Sequence, residues 1–500
     1  PINPAANPQG RGVGGQGLLP EAGLRSRQGC DHSGDERLEE QELEKFCRRL
    51  LRRPELEELF GHYSGEDQVL SAEELQDFLR DQGEEATPSQ ARAAIQAYEL
   101  NQKAREQDLM TLDGFMMYLL SAAGDILNQE HTKVHQDMNQ PLSHYFISSS
   151  HNTYLTHHQV GGSSSTEAYV RALLAGCRCV ELDCWEGPAG EPLVCHGHAL
   201  TSKILFRDVI ESIRDHAFKE EEEEEEKLQE RSRRREASQV APELSAMVVY
   251  SQAVPFPGLA QALCHPQPCQ VSSFSERKAR KLIKEAGPPL GRLHTRQLSR
   301  VYPLGLKMDS SNYNPQEMWN MGFQLVALNF QTPGYEMDLN TGRFLGNGAC
   351  GYVLKPPSLR SPPGGPAPPM CHPCPQVISA QQLPKVTGQK DSAIVDPLVR
   401  VELHGVPPDC SRQQTRHKVN NGFNPRWEET LRFQVRAPEL ALLRFVVEDH
   451  DSTSPNDFVG QFTLPLPSVR AGYRHVHLLS RDGASLAPAT LFVHIRCKSL

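Results

Sequence analysis

The sequence predicts a multidomain α/β protein, in which a helical region comes first, a central unit follows and a β-sandwich comes last. Five hundred residues exceed what one ordinary hydrophobic core holds, so about three domains are expected. In the first region, apolar residues such as Leu43, Phe46 and Leu50 recur at spacings of three and four, which is typical of helices. In 399–403 and 431–435 apolar and polar residues alternate, which indicates half-buried strands.

Composition and charge exclude several classes of protein. The net charge is -10 and no basic stripe is present, so nucleic acid is not an expected partner. No apolar run reaches the roughly 18 residues of a transmembrane segment, so membrane contact is expected to be peripheral. The 13 cysteines lack the spacing of a small disulfide-bonded domain and indicate reduced thiols. We therefore expect a cytoplasmic protein that associates peripherally with membranes.

One loop of the helical region has the ligand spacing of an EF-hand. Oxygen-bearing side chains stand at loop positions 1, 3, 5, 9 and 12, but Glu36 replaces the glycine that permits the sharp turn at position 6. The loop therefore predicts weak calcium binding, and a purely structural helix pair is the alternative. The candidate ligands are Asp31, Ser33, Asp35, Arg37 and Glu42.

A cluster of polar residues in the central unit points to chemistry. His151, Asn152, Glu181, Asp183 and His196 lie within about fifty residues, each at or near the end of an apolar run. On a strand, Glu181 and Asp183 would face the same side, where two carboxylates repel each other unless they share a cation. Asn, Glu and Asp oxygens suit a hard ion such as calcium. The two histidines are the usual proton-transfer groups near neutral pH.

These residues also carry a resemblance to a known family. Segments 140–155 and 176–187 resemble the X half of eukaryotic phosphoinositide-specific phospholipase C, and 298–303 and 310–315 resemble its Y half. The resemblance covers nearly everything after about residue 28 and is strongest to the delta class. It implies an incomplete TIM-type (β/α) barrel split into X and Y halves, preceded by EF-hand helices and followed by a C2 β-sandwich. No segment resembles the pleckstrin-homology domain with which the family normally begins.

The predicted domain boundaries combine this resemblance with local composition, such as the seven consecutive glutamates that begin at Glu220. They are a disordered lead-in (1–28), an EF-hand-like helical region (29–135), a truncated X half (136–219), an acidic linker (220–243), a Y half (244–359), a Pro-rich hinge (360–375) and a C2 domain (376–500).

The resemblance assigns roles in the active site. Asn152, Glu181 and Asp183 would bind calcium, and Glu181 would also take the proton of the inositol 2-hydroxyl as that oxygen attacks phosphorus. His151 would stabilise charge on the phosphoryl oxygens, and His196 would protonate the departing diacylglycerol oxygen. Substrate contacts come from the Y half; the residues implied are Ser273, Arg300 and Tyr302.

Part of the family pattern is missing after Phe218. The family continues there with a strand similar to Val-Ile-Leu-Ser-Leu-Glu-Asn-His, whose glutamate is a fourth calcium ligand, and later with a lysine pair for the 4- and 5-phosphates. Here the sequence passes from Phe218 and Lys219 directly into the glutamate run. A sheet without these strands is expected to have open edges.

The C2 region contains a second group of acidic residues. Asp449, Asp451 and Asp457 form a dense cluster that favours a divalent cation. Aspartates are also common in turns, which is the alternative reading of this cluster. By resemblance to the delta-class C2 domain, the implied calcium ligands are Ile394, Asp396, Asn420, Asp449, Asp451 and Asp457.

The resemblance therefore implies an enzyme: a calcium-dependent lipase that converts phosphatidylinositol 4,5-bisphosphate into inositol 1,4,5-trisphosphate and diacylglycerol in intracellular signalling. Its expected partner is an anionic phospholipid surface. The alternative is a catalytically impaired splice form or fragment that acts as a calcium-dependent lipid-binding module.

Overall fold

The computed structural model describes residues 51–84, 86–197, 201–218, 250–305, 307–361, 370–385 and 394–499. Three predicted features lie outside these residues and remain predictions. They are the lead-in, the acidic linker, and the EF-hand loop with Asp31, Ser33, Asp35, Arg37 and Glu42.

The helices and strands are numbered in chain order. The described α-helices are α1 (Pro54–Ser64), α2 (Ala72–Asp81), α3 (Pro88–Tyr98), α4 (Gln102–Glu106), α5 (Leu112–Leu120), α6 (Thr166–Leu174), α7 (Phe206–His216), α8 (Leu259–Cys264), α9 (Glu276–Leu293), α10 (Gln316–Trp319), α11 (Tyr335–Phe344) and α12 (Pro357–Arg360). The described strands are β1 (Leu70–Ser71), β2 (Leu109–Met110), β3 (Tyr145–Ser150), β4 (Cys184–Trp185), β5 (Leu193–Val194), β6 (Ile204–Leu205), β7 (Gln252–Ala253), β8 (Gln270–Ser275), β9 (Ser299–Tyr302), β10 (Leu325–Leu328), β11 (Tyr352–Leu354), β12 (Cys371–Gln381), β13 (Pro397–His404), β14 (Ser411–Gln414), β15 (Arg426–Thr430), β16 (Leu442–Asp449), β17 (Asp457–Pro465), β18 (Gly472–Leu479) and β19 (Ser485–Ser499).

The N-terminal helices form two helix–loop–helix units joined by their loops. Strand β1 of one loop pairs antiparallel with β2 of the other. Helix α2 begins with a capping box, in which the Ser71 hydroxyl accepts from the Glu74 N–H and the Glu74 carboxylate accepts from the Ser71 N–H. Phe60, Phe78 and Phe115 pack with tilted or edge-on rings in the shared core. The EF-hand-like prediction is therefore confirmed for the described helices.

The central unit is an open sheet with the strand order β11-β3-β10-β9-β8-β7. Strands β3, β10, β9, β8 and β7 run parallel, and β11 is antiparallel to β3. Strands β4, β5 and β6 form a separate three-stranded sheet. Among the described strands, β7 ends the large sheet, so the barrel does not close there. This arrangement confirms the predicted incomplete barrel.

The C-terminal region is the predicted β-sandwich. A single residue pair, Gln461 with Leu479, joins β17 to β18. The eight strands therefore divide into two layers, β14-β13-β16-β17 and β18-β19-β12-β15, which enclose an apolar core.

The hinge ends earlier than the predicted residue 375, because β12 already begins at Cys371. Pro373 and Pro375 fall in the predicted hinge because that segment is rich in proline, yet both lie in this strand. Each uses its carbonyl oxygen to accept a hydrogen bond, from the N–H of Phe433 and of Leu431 respectively. A proline cannot donate, but it fits a strand where only its carbonyl is needed on that side.

Buried charges join the barrel to the sandwich. Arg444 of β16 donates to Asp338 of α11 at 2.7 Å and to Glu402 of β13 at 2.9 Å. Arg343 of α11 is also buried and donates to the Leu440 carbonyl at 2.6 Å. The two domains therefore share a polar interface as well as apolar contacts.

Candidate active site

Four of the predicted active-site residues lie at the carboxyl end of β3 or of a segment that pairs with it, and His196 follows a strand of the separate three-stranded sheet. His151 and Asn152 directly follow β3. Glu181 and Asp183 lie just beyond a segment that pairs in parallel with β3. His196 follows β5. Side chains at the carboxyl ends of neighbouring parallel strands meet at one edge of the sheet, and the structure brings these five into one network of contacts.

Glu181 is held by groups from both halves of the barrel. Its Oε2 accepts from the Asn152 main-chain N–H at 2.8 Å and from Arg300 Nη2 at 2.5 Å. The Glu181 N–H donates to Thr153 Oγ1 at 3.0 Å. Both partners of the ion pair are largely buried, with side-chain exposures of 17% for Arg300 and 25% for Glu181. The carboxylate is therefore neutralised by the arginine that was expected to bind phosphate.

Asp183 and His196 are linked through Tyr154. The Tyr154 hydroxyl donates to Asp183 Oδ2 at 2.6 Å and lies 3.3 Å from His196 Nδ1. Burial, together with the hydrogen bond to Asp183, raises the pKa of Tyr154, so the hydroxyl keeps its proton at neutral pH. The tyrosine thus fixes the orientation of the histidine ring through Nδ1, which leaves Nε2 for a substrate.

His151 lies in a more enclosed environment. Its Nδ1 is 2.9 Å from Asn329 Oδ1, and its ring lies parallel to the Tyr302 ring with centroids 6.3 Å apart. Burial lowers the pKa of His151 even though Glu181 acts in the opposite direction. The ring is therefore uncharged at neutral pH in the free protein, and an incoming phosphate would favour its protonation.

Asn152 adopts a backbone conformation that few residues tolerate. Its φ is +43°, in the left-handed region that asparagine enters more readily than most non-glycine residues. This conformation turns its N–H toward Glu181. Its side-chain Nδ2 donates to Gln159 Oε1 at 2.6 Å and lies 3.4 Å from His196 Nδ1. The amide nitrogen is thus occupied by protein partners.

The predicted substrate-binding residues occupy two adjacent strands. Ser273 of β8 is directly opposite Arg300 of β9 in the parallel register. The Arg300 guanidinium carbon lies 5.5 Å from the centre of the Tyr302 ring. Since Ser273 is exposed, it can contact a ligand that Arg300 also binds.

The oxygen atoms available for a cation can be identified from the hydrogen bonds. Within the described part of the chain, no hydrogen bond uses Asn152 Oδ1, Glu181 Oε1 or Asp183 Oδ1. In the same ranges, no three His, Cys, Asp or Glu side chains form a metal-binding group. The oxygens available to a cation at this site therefore come from two carboxylates and one amide. Oxygen ligands of this kind fit calcium. Because Arg300 already neutralises Glu181, a cation would have to compete with the guanidinium.

A cavity of about 210 Å³ opens between these residues. Its lining includes His151, His196 and Tyr302. Val160 and Met308 directly follow the lining residues Gln159 and Lys307 and are 53% and 60% exposed. Their segments are joined by the hydrogen bond from the Gln159 N–H to the Met308 carbonyl. In the described residues, no helix has the length and apolar character needed to cross a bilayer.

The loops of the C2 region bring together several of the predicted ligands. Asp449 and Asp457 are directly opposite each other at the ends of β16 and β17. Asp449 Oδ1 accepts from the Asp396 N–H at 2.7 Å, and Asp396 Oδ1 accepts from the Asn420 N–H at 2.6 Å. Asp451 instead accepts from Thr453 and Ser454 of its own loop, as turn-forming aspartates do. Ile394 is two residues before Asp396 and is partly buried.

Three residues of the active site were missed by sequence reasoning: Tyr154, Gln159 and Asn329. Tyr154 lies two residues after Asn152 in segment 140–155, but no role follows from its position alone. Asn329 directly follows β10, so the rule that functional residues stand at strand ends could have identified it. Gln159 lies in a loop and has no comparable signal in the sequence.

Comparison with protein families identifies all four parts of the chain. Residues 46–129 match the family model for the phosphoinositide-specific phospholipase C EF-hand-like domain, and residues 374–480 match the C2 domain. Residues 138–224 and 244–358 match the phosphatidylinositol-specific phospholipase C X and Y domains.

Individual relatives belong to the same family of phospholipases. The chain is 57% identical to human 1-phosphatidylinositol 4,5-bisphosphate phosphodiesterase delta-3, over 93% of this chain and 70% of the relative. It is 43% identical to human delta-1, over 93% of this chain and 75% of that protein. Among solved structures, the crystal structure of L. pealei PLC21 superposes with a TM-score of 0.77 at 29% identity, covering 92% of this chain and 70% of PLC21. The crystal structure of S. officinalis PLC21 gives a TM-score of 0.79 at 28% identity, covering 97% of this chain and 74% of that protein.

Proposed function

The chain belongs to the phosphoinositide-specific phospholipase C family, and on that basis we propose that it hydrolyses phosphatidylinositol 4,5-bisphosphate to inositol 1,4,5-trisphosphate and diacylglycerol with calcium. The observation that carries the proposal is the arrangement around one cavity of His151, His196 and Tyr302, with Glu181 and Arg300 paired beside it. This arrangement supplies proton-transfer groups together with a phosphate-binding cation.

The reaction follows from the roles of these side chains. Arg300 and Ser273 bind the phosphates, while Tyr302 packs against the inositol ring. Glu181 accepts the proton of the inositol 2-hydroxyl as the oxygen of that hydroxyl forms a bond to phosphorus. The bond from phosphorus to the diacylglycerol oxygen breaks, and His196 gives that oxygen a proton. The product of this step is a cyclic phosphate that bridges the 1- and 2-oxygens of inositol. Water then forms a bond to phosphorus, and the bond to the 2-oxygen breaks.

Asn152, Glu181 and Asp183 would hold calcium, which when bound would offset phosphate charge and favour ionisation of the 2-hydroxyl. The headgroup would draw Arg300 away from Glu181, because the guanidinium pairs with phosphate as readily as with a carboxylate. His151, which is uncharged in the free site, would be protonated beside the phosphate and donate to its oxygens.

The approach to a membrane is assigned to two surfaces. Val160 and Met308 are exposed apolar side chains beside the cavity and would insert into the lipid interface. In the C2 region, calcium held by Asp396, Asn420 and Asp449 would replace negative with positive charge and favour anionic lipid. We therefore propose peripheral binding of the cytoplasmic protein to anionic phospholipid surfaces.

The second candidate is a catalytically silent module that binds calcium and lipid. Two observations favour it: among the described strands the large sheet ends at β7, and the sequence lacks the strand with the fourth calcium ligand and the later lysine pair. Fewer ligands and fewer phosphate contacts would lower the affinity for both calcium and headgroup.

A hydrolysis assay separates the two candidates. The purified chain is incubated with mixed micelles that contain phosphatidylinositol 4,5-bisphosphate, and the water-soluble inositol phosphates are measured as calcium is raised from a chelated baseline. We expect calcium-dependent release with inositol 1,4,5-trisphosphate as the main product. Release that stays at the chelated baseline at every calcium concentration, with intact binding to liposomes, would favour the silent module.

Replacement of Asp449 by asparagine is expected to weaken calcium-dependent liposome binding. The change keeps the shape of the side chain but removes one negative charge opposite Asp457, so calcium affinity should fall. Sedimentation with phosphatidylserine liposomes should need about tenfold more calcium, since lost ligand charge is a main determinant of affinity. The matched control is Asp482→Asn, an exposed aspartate in another loop of the same domain. An equal calcium requirement in both variants would contradict the assignment.

A further inference from the structure

A buried network of amide side chains lies behind the catalytic histidine and the first cation ligand. Its members are nearly inaccessible to solvent: Asn329 is 1% exposed, Ser310 is 1% exposed, and Gln159 is 7% exposed. Buried polar groups are costly unless they are paired, so a connected set of this kind holds fixed orientations. The network consists of Asn152, Gln159, Ser310, Asn312 and Asn329.

The amide of Asn329 has only one orientation that satisfies its partners. Its Nδ2 donates to the Ser310 carbonyl at 2.9 Å. The opposite orientation would place two carbonyl oxygens against each other. The main chain of Asn329 is also fixed, because its N–H donates to Asn312 Oδ1 at 2.8 Å and its carbonyl accepts from Asn312 Nδ2 at 3.1 Å. Asn329 Oδ1 is therefore aimed at His151.

This orientation determines which nitrogen of His151 carries the proton. Asn329 Oδ1 can only accept a hydrogen bond, and it lies 2.9 Å from His151 Nδ1. In the uncharged ring the proton is therefore on Nδ1, and Nε2 is the nitrogen left for a ligand in the cavity. A second partner holds the same oxygen, since Gln159 Nε2 lies 3.3 Å from it.

The network also reaches the cation ligand. Gln159 Oε1 accepts from Asn152 Nδ2 at 2.6 Å, while Gln159 Nε2 donates to Ser310 Oγ at 2.9 Å. Because the amide nitrogen of Asn152 is held there, its Oδ1 is turned away from Gln159. One connected set of amides thus orients both the histidine and the amide oxygen.

We propose that Asn329 is a positioning residue that fixes the Nδ1-protonated tautomer of His151 and, through Gln159, the orientation of Asn152. The inference rests on the proposed function, because it describes how the same reaction is supported. Its value in catalysis is geometric: Nε2 of His151 is aimed at the phosphoryl group before the substrate arrives.

The tautomer of His151 tests the proposal without turnover. The protein is labelled with ¹⁵N-histidine, and His151→Gln identifies the His151 signals. At pH 8 we expect the native spectrum to show a protonated Nδ1 and an unprotonated Nε2. Asn329→Asp keeps the acceptor oxygen and should keep this tautomer. Asn329→Leu removes the acceptor at nearly the same volume and should shift His151 toward the Nε2-protonated form. An identical His151 tautomer in the native protein and in Asn329→Leu would overturn the proposal.

Kinetics provide the second readout. Asn329→Leu should lower kcat by about 10- to 100-fold with little change in KM, as for lost orienting partners elsewhere, and Asn329→Asp should restore most of it. The matched control is Asn340→Leu, which alters a buried asparagine of α11 whose Oδ1 is unbonded within the described ranges. An equal loss of kcat in both leucine variants would contradict a specific role.

If the native chain shows no turnover, the proposed function fails, while the tautomer still decides the role of Asn329. If Asn329→Leu does not fold, an Nε2-protonated His151 in the native or Asn329→Asp protein would overturn the proposal.

Discussion

Replacement of His196 by alanine is expected to lower kcat by about 10²- to 10⁴-fold, the range over which general acid–base groups contribute. The diacylglycerol oxygen is a poor leaving group unless it receives a proton as its bond to phosphorus breaks. His196 lines the cavity, and Tyr154 holds its ring through Nδ1 at 3.3 Å. Alanine removes the acid without placing new atoms in the cavity, so KM should change little. The measurement is inositol phosphate release from mixed micelles at saturating calcium.

The control for this variant is His265→Ala, an exposed histidine after α8 and outside the cavity. It should leave kcat within about twofold of the native value, in keeping with the small effects of most surface substitutions. Liposome binding should be the same for both variants, because His196 is not part of the C2 region. Equal turnover by the native chain and His196→Ala would refute the assignment of His196 as the acid.

The helical region and the β-sandwich could be predicted from sequence because each has its own periodicity, whereas the barrel between them was implied by the resemblance. Helical spacing, strand-end motifs and strict alternation are local properties, so they survive without knowledge of the tertiary structure. The start of the sandwich was predicted less well. Pro373 and Pro375 have the composition of a hinge, but they lie at positions of β12 where only the carbonyl is used. Whether a proline fits a strand depends on the segment that pairs with it, and the sequence of the hinge alone does not reveal that segment.

The structure brings the predicted active-site residues close together, but the contacts between them could not be predicted from the sequence. The resemblance assigned Arg300 to phosphate and Glu181 to calcium, so each was matched to a ligand. In the free protein they bind each other, because two partly buried opposite charges stabilise one another when neither ligand is present. Gln159 was missed for another reason. Its role arises from hydrogen bonds between segments that are distant in sequence, and its loop carries no signal that distinguishes it from other polar residues.

Replacement of Arg444 by leucine is expected to destabilise the folded protein by about 3–5 kcal/mol, the range found when one partner of a buried ion pair is removed. Arg444 is 5% exposed and is the cation between Asp338, 6% exposed, and Glu402, 7% exposed. Leucine would leave Asp338 buried without a cation among the described residues, while Glu402 would lose one partner and keep Arg400 and His404. The measurement is the midpoint of urea denaturation at pH 7.5, with Arg432→Leu, an exposed arginine of the same domain, as the control.

The loss of stability in Arg444→Leu should also depend on pH, and the direction of that dependence follows from the pKa of Glu402. Burial acts to raise that pKa, but His404 and Arg444 outweigh burial and hold it well below its ordinary value. A lowered pKa contributes stability above the unfolded-state value of about 4.3, and this contribution is lost as pH falls further. Without Arg444, the buried carboxyl groups should take up protons at higher pH, which relieves their burial cost. The difference between native and Arg444→Leu should therefore be smaller at pH 5 than at pH 7.5. A penalty that is unchanged between these two pH values would show that lost packing, rather than uncompensated charge, accounts for the destabilisation.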